Sequence, residues 1–351
     1  MVSYPSVSVC MIAYNQEAFI ADAIEGVLMQ KCDFPIELVI GEDFSPDLTR
    51  TICEEYAKNN NIVTLLPSSE NLGIMPNFSR TLDNCNGKYI AICEGDDYWT
   101  DPYKLQKQVD FLEANSDFGL VHTDFDTLYE NDNFIMTSTH KKFGISLDGS
   151  CSLEYWNAFG KSLATIKTLT VCIRKTYLAE YQKLTKKHVN NWLVGDFPLF
   201  FFISIKSKVG YISDSTAVYR TVPSGSASNV KKNSDSFFRI KQSYIKLRYF
   251  FLDNQINDNK KYIQAYNREF RFLLKHLIIA NKKLELTNLL NNNRKYIIDS
   301  GIVLIGKKFP FLLFNYFSAT YFKLTMRLMY LLFYVRRPIF LYLTVKRKIK
   351  K

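Results

Sequence analysis

The sequence contains none of the glycine-rich motifs that identify the common nucleotide-phosphate sites. No GxxxxGK[ST] loop occurs in its 351 residues, which argues against a P-loop protein. The loop after the first strand-like segment, residues 13–17, has no glycine. A dinucleotide-binding fold needs glycine there so that the backbone can approach the pyrophosphate. Dehydrogenase and P-loop functions are therefore disfavoured, as is a sugar-nucleotide pyrophosphorylase, which also needs a glycine-rich first loop.

Paired cysteines and a secretory leader are missing as well. The seven cysteines show no CxxC spacing, and most of them stand in apolar runs. Free buried thiols of this kind are typical of a reducing compartment. The sequence begins Met1-Val2-Ser3-Tyr4-Pro5 and goes directly into a strand-like run. We therefore expect no signal peptide and a cytoplasmic location.

Acidic residues are absent from residues 301–351, which contain eleven Lys or Arg and carry the whole net charge of +11. The longest uncharged run there, residues 309–322, is shorter than the ~20 residues that cross a bilayer. Aromatic and basic residues without acids suit an anionic membrane surface, and we expect the tail to bind one. A helical subdomain with a solvated basic face is the alternative. The first 300 residues have no basic excess, so we expect no nucleic-acid partner; a nucleic acid held by the tail is the disfavoured alternative.

What the sequence does contain is an alternation of short β-rich segments with segments of helical spacing, from Ser6 to about Tyr129. The predicted strands are residues 7–13, 36–40, 62–66, 88–93 and 119–123. This order predicts an α/β fold with a mostly parallel central sheet flanked by helices. From about residue 235 the helical spacing continues without chemical motifs, which predicts a mainly helical C-terminal extension.

The turn after the fourth predicted strand is strongly acidic, with Glu94, Asp96 and Asp97 within four positions. Clustered carboxylates repel one another unless a cation lies close by, and hard divalent cations take oxygen ligands. A solvated turn that caps the next helix, with Pro102 in its first turn, is the other explanation.

Two other strand ends carry residues suited to the same ligand. In parallel sheets ligands bind beyond the carboxyl ends of the strands, so Tyr14 and Asp43 should lie near the acidic turn. The arrangement suits a nucleobase beside Tyr14 and hydrogen-bonded by Asp43, with a metal–diphosphate group at Asp96.

Four segments in chain order resemble family-2 glycosyltransferases of the bacterial surface-polysaccharide type, which have the GT-A fold. They are VSVCMIAYN at 7–15, GEDFSPDLT at 41–49, ENLG at 70–73 with Asn77, and EGDDYW at 94–99. They stand where the family has its YN turn, its DDGSTDNT segment, its NxG helix start and its DxD metal motif. VGDFPL at 194–199 resembles the segment of the catalytic base, and Tyr219-Arg220 resembles a late YR-x-H loop.

The resemblance implies an inverting, metal-dependent hexosyl- or N-acetylhexosaminyltransferase. The implied cofactor is Mn²⁺ or Mg²⁺, with Asp96 and Glu94 as ligands, and the implied donor is a nucleotide sugar, most simply a UDP-sugar. The implied acceptor is a glycan or a lipid-linked glycan of a cell-surface polysaccharide. The catalytic base would be Asp196. The nucleotide-sugar-binding residues would be Ala13, Tyr14, Asn15, Glu17, Asp43, Asn77, Asp96 and Arg220.

The resemblance, which reaches about residue 230, and the composition of the tail together give the expected domain boundaries. Residues 1–235 would form the glycosyltransferase domain, with a nucleotide-binding half at 6–125 and an acceptor half at 126–235. Residues 236–351 would form the basic helical region, holding the protein at the inner face of the cell membrane.

Two positions depart from the family pattern. Glu94 stands where the metal motif begins with Asp, and Val222 replaces the expected His. These departures keep open a catalytically silent sugar-nucleotide-binding or scaffold protein. Asp196 also has an alternative explanation as the N-cap of the apolar helix that follows it.

Overall fold

The computed structural model describes residues 6–142, 166–185 and 196–221, with the single residues 243 and 250. The chain divides into two compact units, and the first comprises residues 1–230 and 253–257. The boundary predicted at residue 235 stays a prediction. The predicted basic helical region and its tail, 236–351, lie outside the described residues except for 243 and 250.

Helices and strands alternate through the first part of this unit. The strands are β1 Val7–Ala13, β2 Ile36–Glu42, β3 Val63–Leu65, β4 Tyr89–Ile92, β5 Tyr98–Trp99, β6 Phe118–Tyr129, β7 Phe134–Met136, β8 Val171–Arg174 and β9 Lys208–Thr221. The helices are α1 Ile20–Leu28, α2 Thr49–Asn59, α3 Ile74–Asp83, α4 Lys104–Ala114, α5 Thr139–Lys142, α6 Lys175–Thr185 and α7 Asp196–Lys206, with a 3₁₀ turn at Thr168–Thr170 before β8.

The strands form one sheet in the order β3-β2-β1-β4-β8-β6-β9-β5, with β7 paired to β6. β1 runs parallel to β2 and β4, and β2 runs parallel to β3. The second half is mixed: β8 lies antiparallel between β4 and β6, while β6 and β9 are parallel. The alternating sequence predicted the parallel half, because each crossover there is a local βαβ unit.

The core lies on both faces of the parallel half. β1 is almost entirely buried, including Val7, Val9 and Met11, as expected of a strand covered on both sides by helices. α1 buries Ile20, Ala23, Ile24 and Val27 along one face, the three-and-four spacing of an amphipathic helix.

α1 also approaches the short strand β5 very closely. A Cβ added at Gly26 of α1 would lie 2.8 Å from the backbone nitrogen of Trp99. Only glycine allows this approach. It fixes α1 against the segment that follows the acidic turn.

No helix in the described part of the chain is both long enough and apolar enough to cross a membrane.

Candidate active site

Three strand ends meet at one edge of the parallel sheet. Ala13, the last residue of β1, pairs in register with Glu42, the last residue of β2. The backbone N–H of Asp43 donates to the carbonyl of Ala13 at 3.0 Å, and that of Gly95 donates to the carbonyl of Ile12 at 3.0 Å. The predicted loops after β1, β2 and β4 therefore start side by side.

The loop after β1 is fixed to the start of α2. Three of its backbone amides donate to side chains there: Asn15 to Ser45 Oγ at 3.0 Å, Gln16 to Thr49 Oγ1 at 2.8 Å and Glu17 to Asp47 Oδ2 at 3.2 Å. The carboxylate of Glu17 in turn accepts the N–H of Leu48 at 2.9 Å. These bonds use the backbone of Asn15 and the side chain of Glu17 to join two loops. They leave the ring of Tyr14 45% exposed at the crevice.

Asp43 is buried and holds the loop before α3. Its two carboxylate oxygens accept the backbone N–H groups of Leu72 at 2.9 Å and Gly73 at 2.8 Å. Gly73 has φ +84, a left-handed conformation that favours glycine. Each carboxylate oxygen can accept a second hydrogen bond, so contact with a nucleobase remains a prediction for a side chain that already has a structural role.

Asn77 is also engaged with the backbone. Its side-chain amide donates to the carbonyl of Gly41 in β2 at 2.6 Å, and its Oδ1 accepts from Arg80 Nε at 2.9 Å. Arg80 also donates to the carbonyls of Pro67 and Glu42. These bonds fix α3 against β2, and a direct contact between Asn77 and a ligand stays a prediction.

The acidic turn contains carboxylates that are hard to ionise. The pKa of Glu94 is raised to about 7 because burial and the charge of Asp96 oppose its ionisation, with Asp196 adding to the effect. The hydroxyl of Thr168 donates to Glu94 Oε2 at 2.5 Å and partly opposes that shift. Burial likewise raises the pKa of Asp96. In the protein alone, burial and mutual repulsion thus favour the neutral forms of these carboxyls.

Asp97, the third acid, faces into the protein. It is buried, and its pKa is raised well above its usual range by burial and by the charges of Asp96 and Glu94. Its Oδ1 accepts the backbone N–H of Arg220 at 2.8 Å. Asp97 therefore ties the turn to β9.

Gly95 allows the acidic turn to pack against β1 and α1. A Cβ at this position would lie 2.4 Å from Gln16 Oε1, 2.7 Å from Ile20 Cδ1 and 3.2 Å from Ala13 Cβ. A larger residue would push the turn away from the crevice.

Arg220 joins the acidic turn to α1. Its side chain is only 7% exposed, and Nη2 lies 2.5 Å from Asp22 Oδ2. Nη1 donates to the carbonyl of Asp96 at 3.3 Å. The guanidinium lies over the rings of Tyr98 and Phe19, at 4.4 and 5.0 Å from their centroids. These contacts position the turn, and the predicted contact with the nucleotide sugar stays a prediction.

Asp196 is the first residue of α7, close to the cap position considered as its alternative. Its charge acts on Glu94 and contributes to the raised pKa of that group. Asp196 is therefore near enough to the acidic turn for its charge to act on Glu94. Its role as the base is untested.

Sequence reasoning missed two residues of this site, Thr168 and Asp22. Thr168 lies in the 3₁₀ turn before β8, and Asp22 on the exposed side of α1. Neither stands in a motif. Both contacts depend on elements far apart in the chain, so no local pattern indicated them.

Among residues 6–142, 166–185 and 196–221, no group of three or more His, Cys, Asp or Glu side chains is arranged to hold a metal ion. Val222, the departure from the late loop, lies outside the described residues.

Glycosyl transferase family 2 is the family whose sequence model matches this chain, over residues 8–162. The putative glycosyltransferase EpsE of Bacillus subtilis (strain 168) is 36% identical over 124 residues, 35% of this chain and 44% of EpsE. TuaG of the same organism, named a putative teichuronic acid biosynthesis glycosyltransferase, is 33% identical over 112 residues, 32% of this chain and 44% of TuaG. An uncharacterized protein of Mycobacterium tuberculosis (strain ATCC 25618 / H37Rv) is 38% identical over 125 residues, 35% of this chain and 36% of that protein. The matched segments span less than half of each of these relatives.

Two solved structures resemble this one in fold. TarS 1-349 of S. aureus, in complex with UDP-GlcNAc, has a TM-score of 0.59 at 17% identity, covering 82% of this chain and 80% of TarS 1-349. The mannosyltransferase PcManGT of Pyrobaculum calidifontis, in complex with GDP-Man and Mn²⁺, has a TM-score of 0.53 at 14% identity, covering 92% of this chain and 86% of PcManGT. At such identities the likeness concerns the fold alone, and it confirms the predicted GT-A-like α/β fold.

Proposed function

Residues 8–162 belong to glycosyl transferase family 2, as the sequence resemblance predicted, and we propose that this chain is an inverting, metal-dependent glycosyltransferase. It moves a sugar, a hexose or an N-acetylhexosamine, from a nucleotide-sugar donor to a glycan or lipid-linked acceptor. The observation that carries the proposal is the acidic turn beside the end of β1, where the N–H of Gly95 donates to the carbonyl of Ile12, with Asp196 near enough for its charge to add to burial and to Asp96 in raising the pKa of Glu94. Such a reaction needs acidic residues that hold the metal and the diphosphate of the donor, and a carboxylate that accepts the proton of the acceptor hydroxyl.

The donor is proposed to be a UDP-sugar bound at the ends of β1 and β2. Tyr14 offers an exposed aromatic ring, and Asp43 offers carboxylate oxygens on the neighbouring strand end. TarS was solved with UDP-GlcNAc and PcManGT with GDP-Man, so the fold accommodates either base. The choice of UDP rests on the first of these likenesses.

Mn²⁺ or Mg²⁺ would be held by Asp96 and Glu94. These residues fit the ion, because both are oxygen donors within three positions of one turn. Burial raises the pKa of both carboxyls, and the charge of Asp96 raises that of Glu94 further, so a bound cation would favour their ionised forms. When bound, a divalent cation offsets the charge of the leaving diphosphate. Two protein carboxylates suffice when the diphosphate supplies further oxygens, and the family-type site therefore needs no cluster of three side chains.

The chain's own residues have distinct tasks in this mechanism. Arg220 and Asp97 hold the acidic turn, and Thr168 orients the Glu94 carboxylate. An acceptor hydroxyl attacks the anomeric carbon from the face opposite the nucleoside diphosphate, which inverts the configuration there. Asp196 accepts the proton of that hydroxyl as the new glycosidic bond forms.

The proposed setting is cell-surface polysaccharide assembly at the inner face of the cell membrane. The names of EpsE and TuaG support the class of reaction, and the basic, acid-free residues 301–351 support the location. Removing residues 301–351 should move the protein from the membrane fraction to the supernatant. Unchanged fractionation would contradict the membrane proposal and leave the transferase proposal intact.

The release of nucleoside diphosphate from nucleotide sugars in the presence of Mn²⁺ tests the proposed reaction. Asp196→Asn should lower kcat by roughly 10²- to 10⁴-fold, the range expected on losing a general base, while donor binding persists. Asp117→Asn, which alters a surface ion pair with Lys208, is the matched control. Full turnover in Asp196→Asn would refute the assignment of the base. No turnover by the unaltered protein with any donor would instead support the silent nucleotide-sugar-binding alternative.

A further inference from the structure

Phe44 has two costly properties in this structure. Its φ angle is +59, in the left-handed region, where a residue with a Cβ is strained. Its side chain is also 51% exposed, although phenylalanine gains by burial. It stands in the EDFS segment where the family's DDGS segment has glycine, the residue that adopts this conformation without strain.

The backbone on both sides holds Phe44 in this conformation. On one side Asp43 is fixed through its N–H to Ala13 and through its carboxylate to Leu72 and Gly73. On the other side the N–H of Ser45 donates to Glu42 Oε1 at 2.6 Å. Strained residues persist when the surrounding structure determines them in this way, and they concentrate at ligand sites.

The surroundings of the Phe44 ring are those of a binding edge. Of the large hydrophobic side chains that are exposed in the described ranges, five follow the ends of β1, β2 and β3: Tyr14, Phe44, Leu48, Leu72 and Ile74. Ala13 at the end of β1 pairs with Glu42 at the end of β2. Tyr14 is the first residue after β1, and Phe44 is the second residue after β2, so both lie at the same edge of the sheet. Exposed apolar side chains that concentrate in the loops at one edge of a sheet are typical of an interaction site.

We propose that Phe44 binds the base of the donor nucleotide through its aromatic face, together with Tyr14. The inference rests on the proposed function and adds a residue to its donor site. Asp43, between the two strand ends, already bonds to two backbone amides, so Phe44 and Tyr14 provide apolar contact that the carboxylate cannot. Every base has a π-face, and Phe44 therefore contributes affinity for both uridine and guanosine nucleotides rather than selectivity between them.

Calorimetric titration of the full chain with UDP, GDP and inorganic pyrophosphate, each with Mn²⁺, tests this assignment. Base–aromatic stacking is worth roughly 1–3 kcal/mol, so Phe44→Gly should raise the Kd for UDP and for GDP by about 5- to 150-fold. Phe44→Gly should not raise the Kd for pyrophosphate, which has no base. Phe44→Tyr, which keeps an aromatic face, should bind both nucleotides within about threefold of the unaltered protein.

Two controls separate base contact from damage to the loop. Phe134→Ala truncates an exposed phenylalanine of β7, 52% exposed, which is outside this set of side chains, and should leave all three affinities unchanged. Glycine accepts the φ angle at position 44, so Phe44→Gly should unfold at no lower temperature than the unaltered protein.

The outcomes distinguish this inference from the proposed function. Nucleotide binding by Phe44→Gly within twofold of the unaltered protein would overturn the inference alone. An equal loss for pyrophosphate, or an equal loss in Phe44→Tyr, would also overturn it. If the unaltered protein bound neither nucleotide, the proposed function would fail and this inference would fail with it.

Discussion

Replacing Lys104 with methionine should change how the stability of this protein depends on pH. Lys104 is the first residue of α4 and is fully buried. Its Nζ lies 2.5 Å from Gln108 Oε1 and 4.6 Å from the centroid of the Trp99 ring. Gln108 in turn donates to the carbonyl of Thr170 at 2.7 Å. The ammonium thus belongs to a buried network beneath the segment that follows the acidic turn.

Burial lowers the pKa of Lys104 from 10.5 to about 8. This shift determines whether the stability of the protein rises or falls with pH. Between these two values the unfolded chain holds one more proton than the folded protein, so the free energy of unfolding rises with pH because of this residue. From pH 7 to pH 10 the contribution of Lys104 should rise by about 2.5 kcal/mol. The stability of Lys104→Met relative to the unaltered protein should fall by the same amount over this interval. Losing the bond to Gln108 adds an offset, but that offset does not depend on pH.

Urea unfolding followed by tryptophan fluorescence, at pH 7 and pH 10, measures this difference. Comparing two proteins at each pH cancels the titration of the cysteines and tyrosines that they share. Lys107→Met is the matched control, because Lys107 lies on the same helix and its bonds to Asp101 and Asp214 raise its pKa above 10.5. The measured quantity is the difference in free energy of unfolding between Lys104→Met and the unaltered protein. If that difference changes by less than about 0.5 kcal/mol from pH 7 to pH 10, the reasoning is refuted.

Three further substitutions test the packing and the positioning of the site. Gly26→Ala should lower the free energy of unfolding by about 1–3 kcal/mol, because the Cβ of the alanine would clash with the backbone of Trp99. Unchanged stability in urea would mean that α1 can shift to make room. Thr168→Val removes the hydrogen bond to Glu94, so it should lower the free energy of unfolding by about 1–2 kcal/mol and slow donor turnover. Thr168→Ser keeps the hydroxyl and should keep the stability and the rate. Equal rates in the Val and Ser variants would exclude an orienting role for Thr168. Arg220→Lys keeps the positive charge but loses the planar guanidinium. The fold decrease in kcat should exceed the fold increase in KM by at least ~10-fold. A change in KM alone would indicate that Arg220 binds the donor and does not position the turn.

The half of the fold that local patterns describe was predictable from the sequence. β1, β2 and β4 with their loops form from adjacent βαβ units, so the neighbouring positions of the loops that follow these strands could be predicted from the strand ends alone. The family resemblance and the GT-A-like fold were predicted from the motifs in those loops; the family model matches residues 8–162, and the fold is confirmed. The alternation of strands and helices rests on short-range periodicity, which is the primary signal for secondary structure in a single sequence.

The mixed half of the sheet was beyond such reasoning. β8 inserts antiparallel between β4 and β6, and β9 returns parallel to β6 from a distant segment. Pairing between strands so far apart depends on the whole fold. For the same reason the contact of Thr168 with Glu94 had no local signature.

Sequence also could not distinguish polar groups that await a ligand from those already bonded to the backbone. Asp43 and Asn77 stand in family motifs, yet their side chains hold Leu72, Gly73 and Gly41. Capping and ligand binding use the same residue types. The assignment of site residues, including Asp196 and Arg220, therefore stays a set of predictions.

Thermal unfolding with a panel of nucleotide sugars, with and without Mn²⁺, tests the central claim most directly: that the crevice at the ends of β1, β2 and β4 binds a nucleotide-sugar donor. A ligand at 100 times its Kd adds about 2.7 kcal/mol to the apparent stability. We predict that at least one nucleotide sugar, most simply a UDP-sugar, raises the unfolding temperature, and that Mn²⁺ increases the rise. The absence of any rise with every nucleotide sugar at millimolar concentration, with or without Mn²⁺, would contradict the account.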